Sequence, residues 1–129
     1  MSEKVFKEAG HLKEGNYMIV DGEPCKIKAI EKSKPGKHGA AKCRITVFGL
    51  FDDRKRQFLG PAGTDVEVPI VERSNAQVVA ITDDTVQIMD MKSYEMISVK
   101  KPEDMADLQN GQAVEYLRYG DQATLVRTR

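Results

Sequence analysis

The sequence predicts an all-β chain built as two small barrels, and three observations carry that expectation. Short apolar runs alternate with charged residues at close spacing, as in Asp65-Val66-Glu67-Val68-Pro69-Ile70 and Thr85-Val86-Gln87-Ile88-Met89-Asp90. Turn signals such as Asp21-Gly22 and Gly60-Pro61 separate them, with no helix between the strands of the first half, and that pattern indicates a small barrel. Near Glu72-Arg73-Ser74-Asn75 the pattern restarts, which places the domains at 1–70 and 71–129. At 129 residues with 40% hydrophobic, 31% charged and 6% aromatic content, the chain has the composition of a globular protein, not a disordered one.

Taken in order, residues 1–15 are polar, with Val5, Phe6 and Leu12 expected to anchor them. Tyr17 to Val20 reads as a strand, and Pro24 to Ile30 returns with Cys25, Ile27 and Ala29 on one face and Lys26 and Lys28 on the other. The long run from Cys43 to Phe51 leads through a charged turn, Asp52 to Arg56, into Phe58-Leu59 and the alternating segment 65–70. In the second half, strands are expected over Gln77–Ile81, Thr85–Asp90 and Glu95–Val99. A short helix over Pro102–Leu108 comes next, favoured by proline at its start and acids in its first turn. Val114–Tyr119 and Ala123–Val126 complete a pattern compatible with a five-stranded OB-type barrel.

Charge singles out one place. Basic and acidic residues balance at 20 each, but residues 26–44 hold Lys26, Lys28, Lys32, Lys34, Lys37, Lys42 and Arg44 against Glu31 alone, net +6. The centre of this stretch is Ser33-Lys34-Pro35-Gly36-Lys37-His38-Gly39-Ala40-Ala41-Lys42, between two strand-like runs. A Pro-Gly turn and a second glycine make it the tip of a long hairpin. Only Lys37 and His38 stand between the glycines, so the lysine is displayed rather than packed. Such a basic arm suits a polyanionic partner.

Other chemistry finds little support. Gly36-Lys37 is not a P-loop, because position 31 is glutamate, position 38 is histidine and no helix comes after it. His11 and His38 are the only histidines, and both read as solvated. No serine is bracketed by histidine and acid, and no Cys/His set has metal spacing, so no catalytic residue and no metal ligand is expected. Cys25 and Cys43 flank the tip, could face each other across it, and are expected as buried, unbridged thiols of a reducing compartment. Tyr94, Tyr116 and Tyr119 could stack on bases, but core or surface packing is the favoured reading. No secretory signal opens the chain and no apolar run is long enough for a membrane helix, which predicts a cytoplasmic protein without membrane contact.

The string Ser33 to Lys42 resembles the hypusine loop of the translation initiation factor 5A family, in its archaeal form. Gly36, Lys37, His38 and Gly39 stand as in that family, while Pro35 and Ala40 depart from the eukaryotic pattern. The resemblance extends over nearly the whole chain and implies an SH3-like barrel at 1–70 and an OB-fold at 71–129. It implies that Lys37 is modified by deoxyhypusine synthase with a spermidine-derived aminobutyl group, to deoxyhypusine or hypusine, and that no other cofactor is needed. It also implies a monomeric, non-enzymatic factor that binds the ribosome next to the peptidyl tRNA and promotes peptide-bond formation, notably at proline-rich stalls. In that setting Lys34, Lys37, His38 and Lys42 would contact RNA, with Pro35, Gly36, His38 and Gly39 presenting the modified side chain. The competing reading is a free-standing OB-type RNA-binding protein with an unmodified basic loop.

Overall fold

The computed structural model describes residues 3–33, 41–103, 105 and 107–126. Its backbone falls into two compact units that divide between Ile70 and Val71. In the first unit, β2 (Tyr17–Val20), β3 (Glu23–Ser33), β4 (Lys42–Gly49) and β5 (Lys55–Pro61) form an antiparallel sheet in that order. A second ribbon pairs β1 (Lys4–Glu8) with β6 (Asp65–Pro69), and β6 also lies against β2, which wraps the unit into a barrel. Alternation explains β4: Cys43, Ile45 and Val47 are fully buried, while Lys42, Arg44 and Phe48 point outward. With Met18, Cys25 and Ile27 they form the core.

The amino-terminal residues depart from expectation. Lys4–Glu8 is a strand although every one of its residues is exposed, Phe6 at 65% and Val5 at 40%. The strand is held by its ladder to β6, not by side-chain burial, so hydrophobic pattern gave no sign of it. A single 3₁₀ turn, Ala9–His11, then swings the chain inward, and Ala9 and Leu12 provide the anchor. His11 stays exposed beside Glu8.

β3 contains a second departure. Its register with β4 slips between Ile27 and Ala29, leaving Lys28 as an extra residue. Such a bulge reverses the in–out parity of every later residue in the strand. Ile30, not Ala29, therefore joins the core, and Lys32 falls on the inner side opposite buried Cys43.

The second unit is a five-stranded antiparallel sheet of β7 (Glu72–Ile81), β8 (Thr85–Asp90), β9 (Met96–Lys100), β10 (Ala113–Tyr119) and β11 (Gln122–Leu125). The order is β11-β10-β7-β8-β9, and β11 also meets β9, which closes a Greek-key barrel of OB type. Val78, Val86, Ile88, Val99 and Tyr116 fill it. Glu72–Asn75 belongs to β7, where it pairs with β10, instead of preceding the strand. The helix expected over 102–108 is not present among the described residues. Met105 N–H donates to the Pro102 carbonyl at 3.2 Å and Leu108 N–H to the Met105 carbonyl at 3.5 Å, both turn-type bonds. With Asn110-Gly111 so close behind, the segment is too short to offset helix nucleation. Met105 and Leu108 instead pack on the barrel core.

Candidate functional site

The basic hairpin rises from the longest ladder of the first unit. β3 and β4 stay paired to Ser33 opposite Lys42, the last rung before the tip. Lys34, Pro35, Gly36, Lys37, His38, Gly39 and Ala40 lie outside the described residues. Of the residues expected to touch RNA, the structure therefore places only Lys42. It is exposed, opposite Ser33 on one side and Pro61 on the other.

The end of this stem is fastened from the side. Ala62 N–H donates to the Ala41 carbonyl at 2.8 Å, and Gly10 N–H donates to the Ala62 carbonyl at 2.8 Å. Lys32 Nζ closes the set by donating to the Gly10 carbonyl at 2.7 Å. Three backbone segments distant in sequence are thus tied together directly below the tip. Gly10 permits it: a Cβ there would sit 3.0 Å from the Ala62 Cβ. In the sequence Lys32 stands out only as one of several basic residues. Its bracing role depends on the parity change at the Lys28 bulge, which no local pattern announces.

The far end of the stem is fixed by charge. Arg56 grips Asp52 with two bonds, Nη1 to Oδ1 at 3.1 Å and Nη2 to Oδ2 at 2.7 Å, and Arg54 N–H donates to Oδ1 at 3.0 Å. The Arg56 bond above all holds the Asp52 carboxyl down at about 2. Cys25 lies buried near this pair, its thiol donating to the Glu23 carbonyl at 3.3 Å and pushed up by burial. A neutral, enclosed thiol is a poor nucleophile. Cys25 and Cys43 are both free and buried, but they do not face each other. Cys25 stands opposite Gly49, whereas Cys43 stands opposite Lys32 and Gly60.

In the second unit the three tyrosines separate. Tyr116 is buried, and its hydroxyl donates to Asp90 Oδ2 at 2.6 Å. The other Asp90 oxygen accepts from Lys92 N–H at 2.8 Å and Ser93 N–H at 2.9 Å, so the pair locks the β8–β9 turn. Tyr119 is half-buried and Tyr94 is exposed on that turn. Among the described residues no cluster of His, Cys, Asp or Glu could hold a metal ion, and no helix is long and apolar enough to cross a membrane.

Similarity to known proteins divides close to the boundary between the two units. Residues 2–64 match the family model described as translation initiation factor 5A-like, N-terminal. Residues 70–129 match the model described as eukaryotic elongation factor 5A hypusine, DNA-binding OB fold. The chain is 47% identical over 122 residues to translation initiation factor 5A of Methanopyrus kandleri, covering 92% of this chain and 90% of that one. It is 47% identical over 128 residues to the protein of that name in Pyrobaculum arsenaticum, covering 96% and 97%. Among solved structures, the eukaryotic translation initiation factor 5A from Methanococcus jannaschii superimposes with a TM-score of 0.86 at 43% identity, covering 98% of this chain and 93% of that one. A translation initiation factor eif-5a family protein from Naegleria fowleri superimposes with a TM-score of 0.72 at 28% identity, covering 96% of each.

Proposed function

The chain belongs to the translation initiation factor 5A family, and we propose that it acts on the ribosome through a modified lysine, Lys37. In this reading deoxyhypusine synthase transfers the aminobutyl group of spermidine to Lys37 Nζ, a new C–N bond forming there as the C–N bond to the departing 1,3-diaminopropane breaks, and the factor then binds as a cytoplasmic monomer beside the peptidyl tRNA. The observation that carries the proposal is a braced stem whose two strands lead into the Gly36-Lys37-His38-Gly39 sequence. The stem's last rung, Ser33 opposite Lys42, is tied through Ala41, Ala62, Gly10 and Lys32 to the barrel, while Lys37 stands between Gly36 and Gly39.

Lysine alone is a point charge on a flexible four-carbon stem. The added aminobutyl group lengthens the arm and supplies a second amine, enough to lie along the acceptor end of a tRNA and hold phosphates and sugars. Contacts of that kind position a nucleic acid without reading its bases. Positioning is sufficient for the effect, since orienting two reactants lowers a barrier without any acid, base or nucleophile from the protein. Promotion of peptide-bond formation should be greatest where the substrates orient poorly, as at consecutive prolines, whose φ is fixed.

The test uses a substitution that keeps charge but blocks the modification. Lys37→Arg retains a cation, and a guanidinium cannot take the aminobutyl group. In a reconstituted system, modified wild-type protein should accelerate proline–proline synthesis and the arginine variant should not. Equal rates would leave the hairpin as a plain basic RNA contact and favour the free-standing RNA-binder instead.

A further inference from the structure

We propose that the outer face of the β2–β5 sheet is a second nucleic-acid surface, a platform for single-stranded RNA made of aromatic rings alternating with lysines. The register puts Tyr17 opposite Lys26, Lys26 opposite Phe48, and Phe48 opposite Lys55. Directly paired residues on antiparallel strands share a face. The neighbouring rung runs through Met18, Cys25 and Gly49, of which Met18 and Cys25 are fully buried, so the Tyr17–Lys55 row faces outward. Tyr17 is half-buried, Lys26 and Lys55 are exposed, and Phe48 is 37% exposed despite being a large apolar ring. Adjacent strands lie about 4.8 Å apart, so the two rings stand roughly 10 Å from each other with a cation beside each.

Charge points to the occupant. The engaged cations of this unit lie elsewhere: Lys4 pairs with Glu67, Arg56 with Asp52, and Lys32 bonds the Gly10 carbonyl. The side chains of Lys26 and Lys55 carry no hydrogen bond or ion pair among the described residues, and neither do those of Lys42 and Arg44 further along the same face. Among the described residues, Glu31, opposite Arg44, is the one acid in the outward rungs between this row and the tip. A face of uncompensated cations suits a polyanion, and rings set among them suit one whose bases are free to stack. A duplex would use the lysines and leave the rings idle. The row lies about 20 Å along β4 from Lys42, so it is a separate surface from the tip and does not depend on modification of Lys37 or on the ribosome.

The test is a titration of the unmodified full chain with a labelled single-stranded RNA of about a dozen nucleotides, the upper range of such sites, and with a duplex of equal length. Phe48→Leu keeps apolar bulk and removes the ring; it should weaken single-strand binding about ten-fold and leave the duplex unchanged. Lys26→Gln with Lys55→Gln should lower the salt dependence of single-strand binding, reducing the slope of log K against log salt by about 1.4. Lys37→Ala should leave both effects in place. The proposal is overturned if Phe48→Leu binds single strands as wild type does, if the duplex binds equally well and loses affinity in parallel, or if only Lys37→Ala matters. Failure of the wild-type chain to bind either RNA would overturn it as well, and would leave the face to a protein partner.

Discussion

At the scale of single residues, two carboxylates each gather three hydrogen bonds. Asp52 accepts two bonds from Arg56 in a space that exists because residue 49 has no side chain. A Cβ on Gly49 would lie 1.8 Å from Asp52 Oδ1 and 2.9 Å from Arg56 Nη1. Gly49→Ala must therefore break that grip, and it should lower stability by about 1–3 kcal/mol, as overpacking does, read from the urea midpoint. Asp90 carries the equivalent role in the second unit. The Tyr116 hydroxyl, with the Ser93 and Lys92 amides, holds its carboxyl at about 2, below the ordinary 3.8. The unfolded chain then takes up a proton before the folded one does. Stability from this group is present above about pH 4 and is lost as pH falls through about 2. Asp52 titrates in the same window, so Asp90→Asn should flatten only part of the acid limb of a midpoint-against-pH curve. An unchanged acid limb would show that Asp90 is not held by these bonds. Tyr116 sets the opposite limb. Burial first and Asp90 second push it up to about 12, so its contribution is present below about pH 10 and fades as pH rises through 12.

At the scale of elements, the hairpin stem is the part with a mechanical task. Its bracing by Lys32 and the Gly10–Ala62–Ala41 bonds leads to a specific expectation for Lys32→Met. Lys32 is exposed, so global stability should fall by less than about 1 kcal/mol, the low end for one hydrogen bond. Amide hydrogen exchange should nevertheless quicken at Gly10 and Ala62, the donors in the brace; unchanged exchange there would mean the lysine adds nothing to it. This element also marks where sequence reading stops. Thr85–Asp90 was legible to the residue because it alternates cleanly, and Tyr17–Val20 because it is an apolar run closed by the Asp21-Gly22 turn. The Lys4–Glu8 strand was not, since all its residues are exposed and it is held by its backbone ladder to β6 and the Lys4–Glu67 ion pair, not by an apolar face. Pro102–Leu108 misled for the converse reason: its end signals are those of a helix, but the segment is shorter than a stable one. The bulge at Lys28 left no local mark, so the parity of Ala29, Ile30 and Lys32 could only come from pairing with β4. The tip itself was nominated by composition and by its glycines, and of its expected contacts Lys42 alone falls among the described residues.

At the scale of the whole molecule, the division of labour tracks charge and core. Residues 1–69 carry 13 basic and 10 acidic side chains, whereas residues 70–129 carry 7 and 10, so the excess of positive charge sits with the hairpin unit. Each unit has its own closed core, one built around Met18, Ile45 and Val47, the other around Val78, Val86 and Ile88. The contacts that brace the stem, from Gly10, Lys32, Ala41 and Ala62, all lie within the first of them. Those facts lead to an expectation about a fragment of residues 1–70. A barrel of this size hides only about 60% of its unfolded surface, so the fragment should unfold at modest urea, but cooperatively. If the synthase recognises the braced stem and the displayed lysine, the folded fragment should gain the aminobutyl mass on the peptide containing Lys37 when incubated with enzyme and spermidine. The full chain in the same reaction gives the reference, and Gly36→Val in the fragment gives the negative control, since valine opposes the φ > 0 that the Pro-Gly turn calls for. A fragment that folds yet stays unmodified beside a modified full chain would show that the OB unit takes part in recognition, and the stem alone would no longer account for the choice of lysine.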